Sequence, residues 1–139
     1  RIYNLDDNVF KESSRINSTF GGNLVDMYRF KLILEIIKNE NLLSNAKTMG
    51  SYLLNHINSL ADDFPGYVIN PRGLGLFCAF DMTSGIERDK LIGLLMEKNL
   101  LILGSGDKSI RFRPHLNVNK NDIDICIETI YNVLKKMLN

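Results

Sequence analysis

The chain contains no tryptophan, three prolines, two cysteines and two histidines in 139 residues. Cys78 and Cys126 lie far apart and lack metal-ligand spacing, which excludes a disulfide framework and a structural zinc site. They read as reduced thiols in a core, as suits the cytosol and a cytoplasmic protein. No sign of charge dominates. Seventeen basic against sixteen acidic residues give a net charge of +1, and the signs are interspersed, so the basic face that nucleic acid requires is not visible. No apolar run reaches the length of a membrane span, and none of these residues forms a basic-then-apolar leader. Internal repeats, low-complexity tracts and a linker long enough to separate two domains are also missing. What remains is 45% apolar and 24% charged, the ordinary balance of a globular domain, in a length sufficient for one core. The opening, "RIYNLDDNVFKESS", starts at Arg1 and shows no beginning of a domain, so the chain is expected to be a piece of a longer protein.

Periodicity sets the order of elements. Asn23 is placed to cap a helix over 23–39, in which Leu24, Met27, Tyr28, Leu32 and Ile36 recur at helical spacing and Ile33 and Ile37 widen the stripe. "NEN" (39–41) breaks it. A second helix over 42–63 carries Leu42, Ala46, Met49, Leu53, Ile57 and Leu60 on one face, and "DDFPG" ends it. "YVIN" (67–70) predicts a short strand and "PRG" a turn. "LGLFCAFDM" (74–82) predicts an interior strand, because its apolar run is too continuous for a solvent-facing edge. Ser84 then caps a helix over 86–98. "LLILGSG" (100–106) and "SIRFRPHL" (109–116) predict two strands joined by a glycine-rich turn. Ile123, Ile127, Ile130, Leu134 and Met137 mark a last helix over 120–138. This order implies an α/β sandwich, a small sheet covered by helices.

Two stretches could carry chemistry. In "SRINSTFGGNL" the hydroxyls of Ser18 and Thr19 precede Gly21-Gly22 and a helix start. Unpaired N–H groups and the helix dipole make such a place an anion site, although a loop that only caps the helix would read the same. In "SIRFRPHL" strand alternation puts Arg111 and Arg113 on one face, with Ile110 and Phe112 on the other. Two guanidiniums so close need an anion beside them. Their planar forks suit a substrate carboxylate, and equally a structural Asp or Glu. Arg72 in "NPRGLG" reads as structural, and its glycines as turn formers. His56 and His115 have no second metal ligand nearby, and no serine or threonine has a base at useful spacing. Neither a metal site nor a nucleophile is therefore expected.

Jointly, "NSTFGGN", the strand "RGLGLF", "GDKSIRFRP" and the final amphipathic helix resemble the C-terminal part of class III aminotransferases, pyridoxal-phosphate enzymes of fold type I. The resemblance covers the whole chain. Within the class, "DNVFKESSRINSTFGGNLVDMYRFKLILEII" is similar to the L-lysine 6-aminotransferases. The 4-aminobutyrate aminotransferases share "GDKSIRFRP" and "FCAFD" but not "STFGGNL", and the ornithine and acetylornithine enzymes follow S-T-F-G-G-N with proline where this chain has Leu24. His115 departs from the second proline usual in the class.

The resemblance implies that residues 1–22 end a large domain and form a cofactor-phosphate loop, and that 23–139 make a connecting helix and the small domain. It implies a homodimer in which Thr19, with Ser18 beside it, donates a hydroxyl to the phosphate of pyridoxal 5'-phosphate held by the neighbouring subunit. It further implies that Arg111 binds the α-carboxylate of the amino or keto acid, with Arg113 structural. The implied activity moves the terminal amino group of L-lysine to 2-oxoglutarate. A 4-aminobutyrate or other ω-amino acid aminotransferase, or a non-catalytic carboxylate-binding domain, are the other readings. The lysine that carries the cofactor and the aspartate facing its ring nitrogen belong to the family's large domain, upstream of Arg1. No catalytic residue is thus expected among these 139, and the fragment is expected to be inactive alone.

Overall fold

A computed structural model describes residues 6, 8, 11–15 and 18–138; most of the opening stretch read as irregular lies outside the described residues. The chain divides into two compact units, Arg1–Ile37 and Lys38–Asn139. Helix α1 (Leu24–Asn39), which lies in the first unit up to Ile37, begins where expected. The Asn23 side chain accepts hydrogen bonds from the backbone N–H groups of Val25 (2.9 Å) and Asp26 (3.4 Å), which makes it the N-cap. Asp26 in the first turn and Lys38 in the last complement the helix dipole. The apolar stripe is present but runs around the helix, and none of its residues is buried.

The second unit contains α2 (Leu42–Asp63), β1 (Ile69–Leu74), β2 (Phe77–Asp81), α3 (Gly85–Met96), β3 (Leu103–Ser105), β4 (Ser109–Phe112) and α4 (Lys120–Leu138). The four strands form one antiparallel sheet in the order β1-β2-β4-β3. Asn41, in the left-handed region at φ 52°, separates α1 from α2 at the expected break. Ser84 caps α3 by accepting from the Glu87 N–H at 3.2 Å. Asn119 and Asp122 exchange side-chain-to-backbone hydrogen bonds at the start of α4, a capping box. The core forms where Cys78, Phe80, Ile110 and Phe112 of the sheet meet Leu53, Ile57 and Leu60 of α2, Leu91 and Leu95 of α3, and Ile130 and Leu134 of α4.

The strands correct the expected bounds throughout the sheet. The run 74–82 is not one strand: the chain turns at Gly75 (φ 55°) and Leu76, so β1 takes in "NPRGL" at the sheet edge, and of the two strands it is β2 that lies inside the sheet. Pro71 is tolerated because β1 is an edge strand with an irregularity between Ile69 and Arg72, where Asn70 adopts φ 54°. The glycines of "RGLG" do more than turn. A Cβ at Gly73 would run into Cys78, and one at Gly50 of α2 would run into the backbone of Gly75. The other corrections are of bounds as well: β1 covers Ile69–Leu74 rather than 67–70, so "PRG" is strand and not turn, and β3 covers Leu103–Ser105 rather than 100–106. β4 stops at Phe112 rather than 116, because Pro114 has no N–H to continue a ladder.

Candidate active site

Cross-strand register sorts the side chains of the sheet into two faces. Arg72 stands opposite Ala79, Ala79 opposite Arg111, and Arg111 opposite Leu103, one row across all four strands. The next row holds Asp81, Ser109 and Ser105. Residues in these rows point to the same face, and Cys78, Phe80, Ile110 and Phe112 point to the other, under the helices. The alternation expected for β4 is present: Ile110 and Phe112 are buried, while Arg111 and Arg113 are not.

The arginines differ in what holds them. Arg72 donates from Nη2 to Asp81 Oδ1 and to Ser109 Oγ, both at 2.9 Å, and from Nη1 to the Asn70 carbonyl at 2.9 Å. Asp81 also accepts from Ser109 Oγ (2.6 Å) and Asn70 Nδ2 (3.0 Å). Burial pushes the Asp81 carboxyl up, but the hydrogen bonds from Ser109, Asn70 and Arg72, together with the Arg72 charge, outweigh it and hold the group below the ordinary carboxylate value. Arg88 reaches from α3 to Asp89 and to the carbonyls of Gly106 (3.3 Å) and Ser109 (3.4 Å), which staples the β3–β4 hairpin. Gly104 lacks a side chain where that guanidinium lies. Arg113 is exposed, with its guanidinium 5.9 Å from the centre of the Phe77 ring.

Arg111 is different. Its Nε is buried and has no hydrogen-bond partner, and no carboxylate among the described residues pairs with it. A buried donor left unmatched costs free energy unless an acceptor from outside the described residues, protein or ligand, meets it. Arg111 lines a cavity of about 350 Å³, walled by Leu53, Ile102, Phe112, His115 and Cys126 among others. Burial pushes the Cys126 thiol up to about 11, so it lines the cavity as a neutral group. Asn45 of α2 fixes the segment beyond β4 by donating to the carbonyls of Leu116 (2.8 Å) and Val118 (3.0 Å). No group of three metal-ligating side chains exists among the described residues. Sequence reasoning gave Arg72 a structural role but missed Asp81 and Ser109 as its partners. The one available hint was the acid that ends "FCAFD".

Ser18 and Thr19 belong to the first unit, and Arg111 to the second. The Gly21 N–H donates to the Ser18 carbonyl (3.3 Å) and the Asn23 N–H to that of Phe20 (3.4 Å), with Gly22 at φ 78°, so 18–23 form consecutive tight turns. Ser18 and Thr19 are exposed, and neither hydroxyl is engaged among the described residues. The helix-start donors expected to be unpaired are in part taken, since Asn23 already accepts from Val25 and Asp26. The residues present therefore fit a phosphate through hydroxyl donors more than through the helix N-terminus.

Residues 7–134 match the family model for aminotransferase class III. The L-lysine-epsilon aminotransferase of Mycobacterium tuberculosis is 43% identical over 134 residues, covering 96% of this chain and 30% of that protein. The mitochondrial 4-aminobutyrate aminotransferase of Sus scrofa is 44% identical over 84 residues, 60% of this chain and 17% of that protein. Among solved structures, the lysine aminotransferase of M. tuberculosis superposes with a TM-score of 0.87 at 44% identity, covering 93% of this chain and 30% of that one. The chain thus spans less than a third of the length of these relatives. Because sequence and fold agree along almost all of its residues, the chain belongs to the class III aminotransferases.

Proposed function

We propose that this chain is the carboxyl-terminal part of a pyridoxal-phosphate-dependent aminotransferase that moves the terminal amino group of L-lysine to 2-oxoglutarate, as a cytosolic homodimer. The observation that carries the reading is the buried, unmatched Nε of Arg111 at the wall of a mostly apolar cavity. The lysine donor is supported by identity over comparable coverage: 43% over 96% of the chain for a relative named L-lysine-epsilon aminotransferase, against 31% over 90% for the probable 4-aminobutyrate aminotransferase of Caenorhabditis elegans.

On this reading residues 1–22 close the large domain and 23–139 form the connecting helix and small domain. Pyridoxal phosphate, when bound, would supply an electron-accepting ring and the carbonyl carbon that carries the amino group from donor to keto acid. This chain's part is to hold and orient. Arg111 grips a substrate carboxylate in a bidentate fork, and the apolar wall excludes water that would weaken the grip. Thr19, with Ser18 beside it, donates to the phosphate of the neighbouring subunit's cofactor. The lysine that anchors the cofactor lies in the remainder of the protein, so these 139 residues do not catalyse transfer alone.

The test is Arg111→Lys in the full-length enzyme, with the two half-reactions measured separately. Lysine keeps the charge and loses the fork, so lysine and 2-oxoglutarate should each lose roughly ten- to a hundred-fold in kcat/KM. 1,5-Diaminopentane, which has the amines and no carboxylate, should lose little. An equal loss for all three substrates, or none for any, would overturn the assignment.

A further inference from the structure

Asp81 stands between two arginines. Ala79, two residues before it on the same face, is opposite Arg72 on one side and Arg111 on the other, which makes both arginines diagonal neighbours of Asp81. Diagonal neighbours lie about 7–8 Å apart and within reach of long side chains. Among the described residues, Asp81 nevertheless pairs with Arg72 alone. Arg72 is steered there from both ends, since the Asn70 carbonyl holds one nitrogen and Ser109 Oγ shares the other with the carboxylate. Ser109 in turn lies two residues from Arg111 on the same strand and face. The arrangement neutralises the carboxylate that the register sets diagonal to Arg111.

We infer that Arg72 determines substrate affinity without touching the substrate: by occupying Asp81 it keeps that carboxylate from pairing with Arg111 and from repelling an incoming anion. Arg72 is thus a positioning residue. The inference rests on the reading of Arg111 as the carboxylate site. Without Arg72, Asp81 is an uncompensated negative charge that can take the Arg111 fork for itself. The ligands affected are those whose recognition runs through a carboxylate, and amines without one are spared.

The experiment uses the full-length holoenzyme and glutarate, a dicarboxylate that binds without reacting, with its Kd measured by calorimetry. Arg72→Gln should weaken glutarate about tenfold, the order expected for one charge at this separation in a partly screened site. In an Asp81→Asn background the same Arg72→Gln change should have no effect on Kd, because the charge it normally masks is gone. A loss of similar size in both backgrounds would overturn the inference and leave Arg72 a purely structural residue, as would an unchanged Kd in Arg72→Gln alone. Should Arg72→Gln not fold by itself, the Asp81→Asn background decides: no loss supports the inference, and a tenfold loss defeats it. Arg111→Lys is measured in parallel. If it leaves glutarate binding unchanged, the carboxylate site itself is misassigned; if it weakens glutarate while the Arg72 and Asp81 changes do not couple, only the positioning role falls.

Discussion

The two faces of the sheet are made by the same strands, and successive residues alternate between them. On the helix side Cys78, Phe80, Ile110 and Phe112 bury their surface inside the chain, and nothing further is needed to satisfy them. On the other side Arg72, Asp81, Ser109 and Asn70 satisfy one another, and Arg113 rests over Phe77, but the Arg111 Nε is left over. The difference separates the residues that hold the fold from the residue the fold leaves unsatisfied. Replacing a residue of the first face should cost stability, and replacing Arg111 should cost binding.

The largest effect lies on the apolar face. Phe80→Ala should remove about 3–5 kcal/mol of folding free energy, read from denaturant midpoints of the full-length protein. A cost below about 1 kcal/mol would mean that the helices do not depend on this face. Next comes Thr19→Ala, whose hydroxyl is unengaged among the described residues. It should leave the stability of the cofactor-free protein unchanged and weaken cofactor retention by about 1.5–3 kcal/mol, the worth of a hydrogen bond to a charged group. Unchanged retention would take Thr19 out of the site.

A smaller effect should appear in acid. The folded-state value of Asp81 is held below its unfolded one, so its contribution is fully present above the unfolded value and is lost as pH falls through the folded value. Unfolding curves of the wild type and Asp81→Asn should therefore converge as pH drops below about 4. Parallel curves would mean that the Arg72–Asp81 pair contributes no pH-linked stability. The smallest effect belongs to Arg113→Gln. Exposed and without a carboxylate partner among the described residues, it should change stability by no more than about 0.5 kcal/mol. It should also leave the preference for carboxylate substrates intact.

How much of this is legible in the sequence depends on whether the signal is local. α2 and α4 can be read residue by residue, because an apolar stripe at helical spacing is a property of one segment. The caps Asn23 and Ser84 are equally local. The β1–β2 hairpin is not legible, because Leu74, Leu76 and Phe77 make an unbroken apolar run across a turn whose sign is one glycine, and Pro71 masks the strand before it. Strand alternation brings out Arg111 and Arg113 together, and only the family resemblance chooses Arg111 between them. That Asp81 belongs to Arg72 could not, because the pairing depends on the register of three strands and on the irregularity at 69–72, none of which is written in a single segment.

The meeting of Gly50 with the turn at Gly75 has a further consequence, for the rotation of α2 about its own axis. An apolar stripe sets the azimuth of a helix loosely, since a rotation of some tens of degrees still leaves Met49, Leu53, Ile57 and Leu60 facing inward. A point of backbone contact does not tolerate such a turn. Advancing by one residue, about 100°, would bring Met49 or Ser51, each with a Cβ, to a gap that has no room for even that atom. The glycine therefore acts as an index mark on the helix. It fixes which residues of α2 face the sheet, and with them the direction in which Asn45 holds the segment beside Arg111.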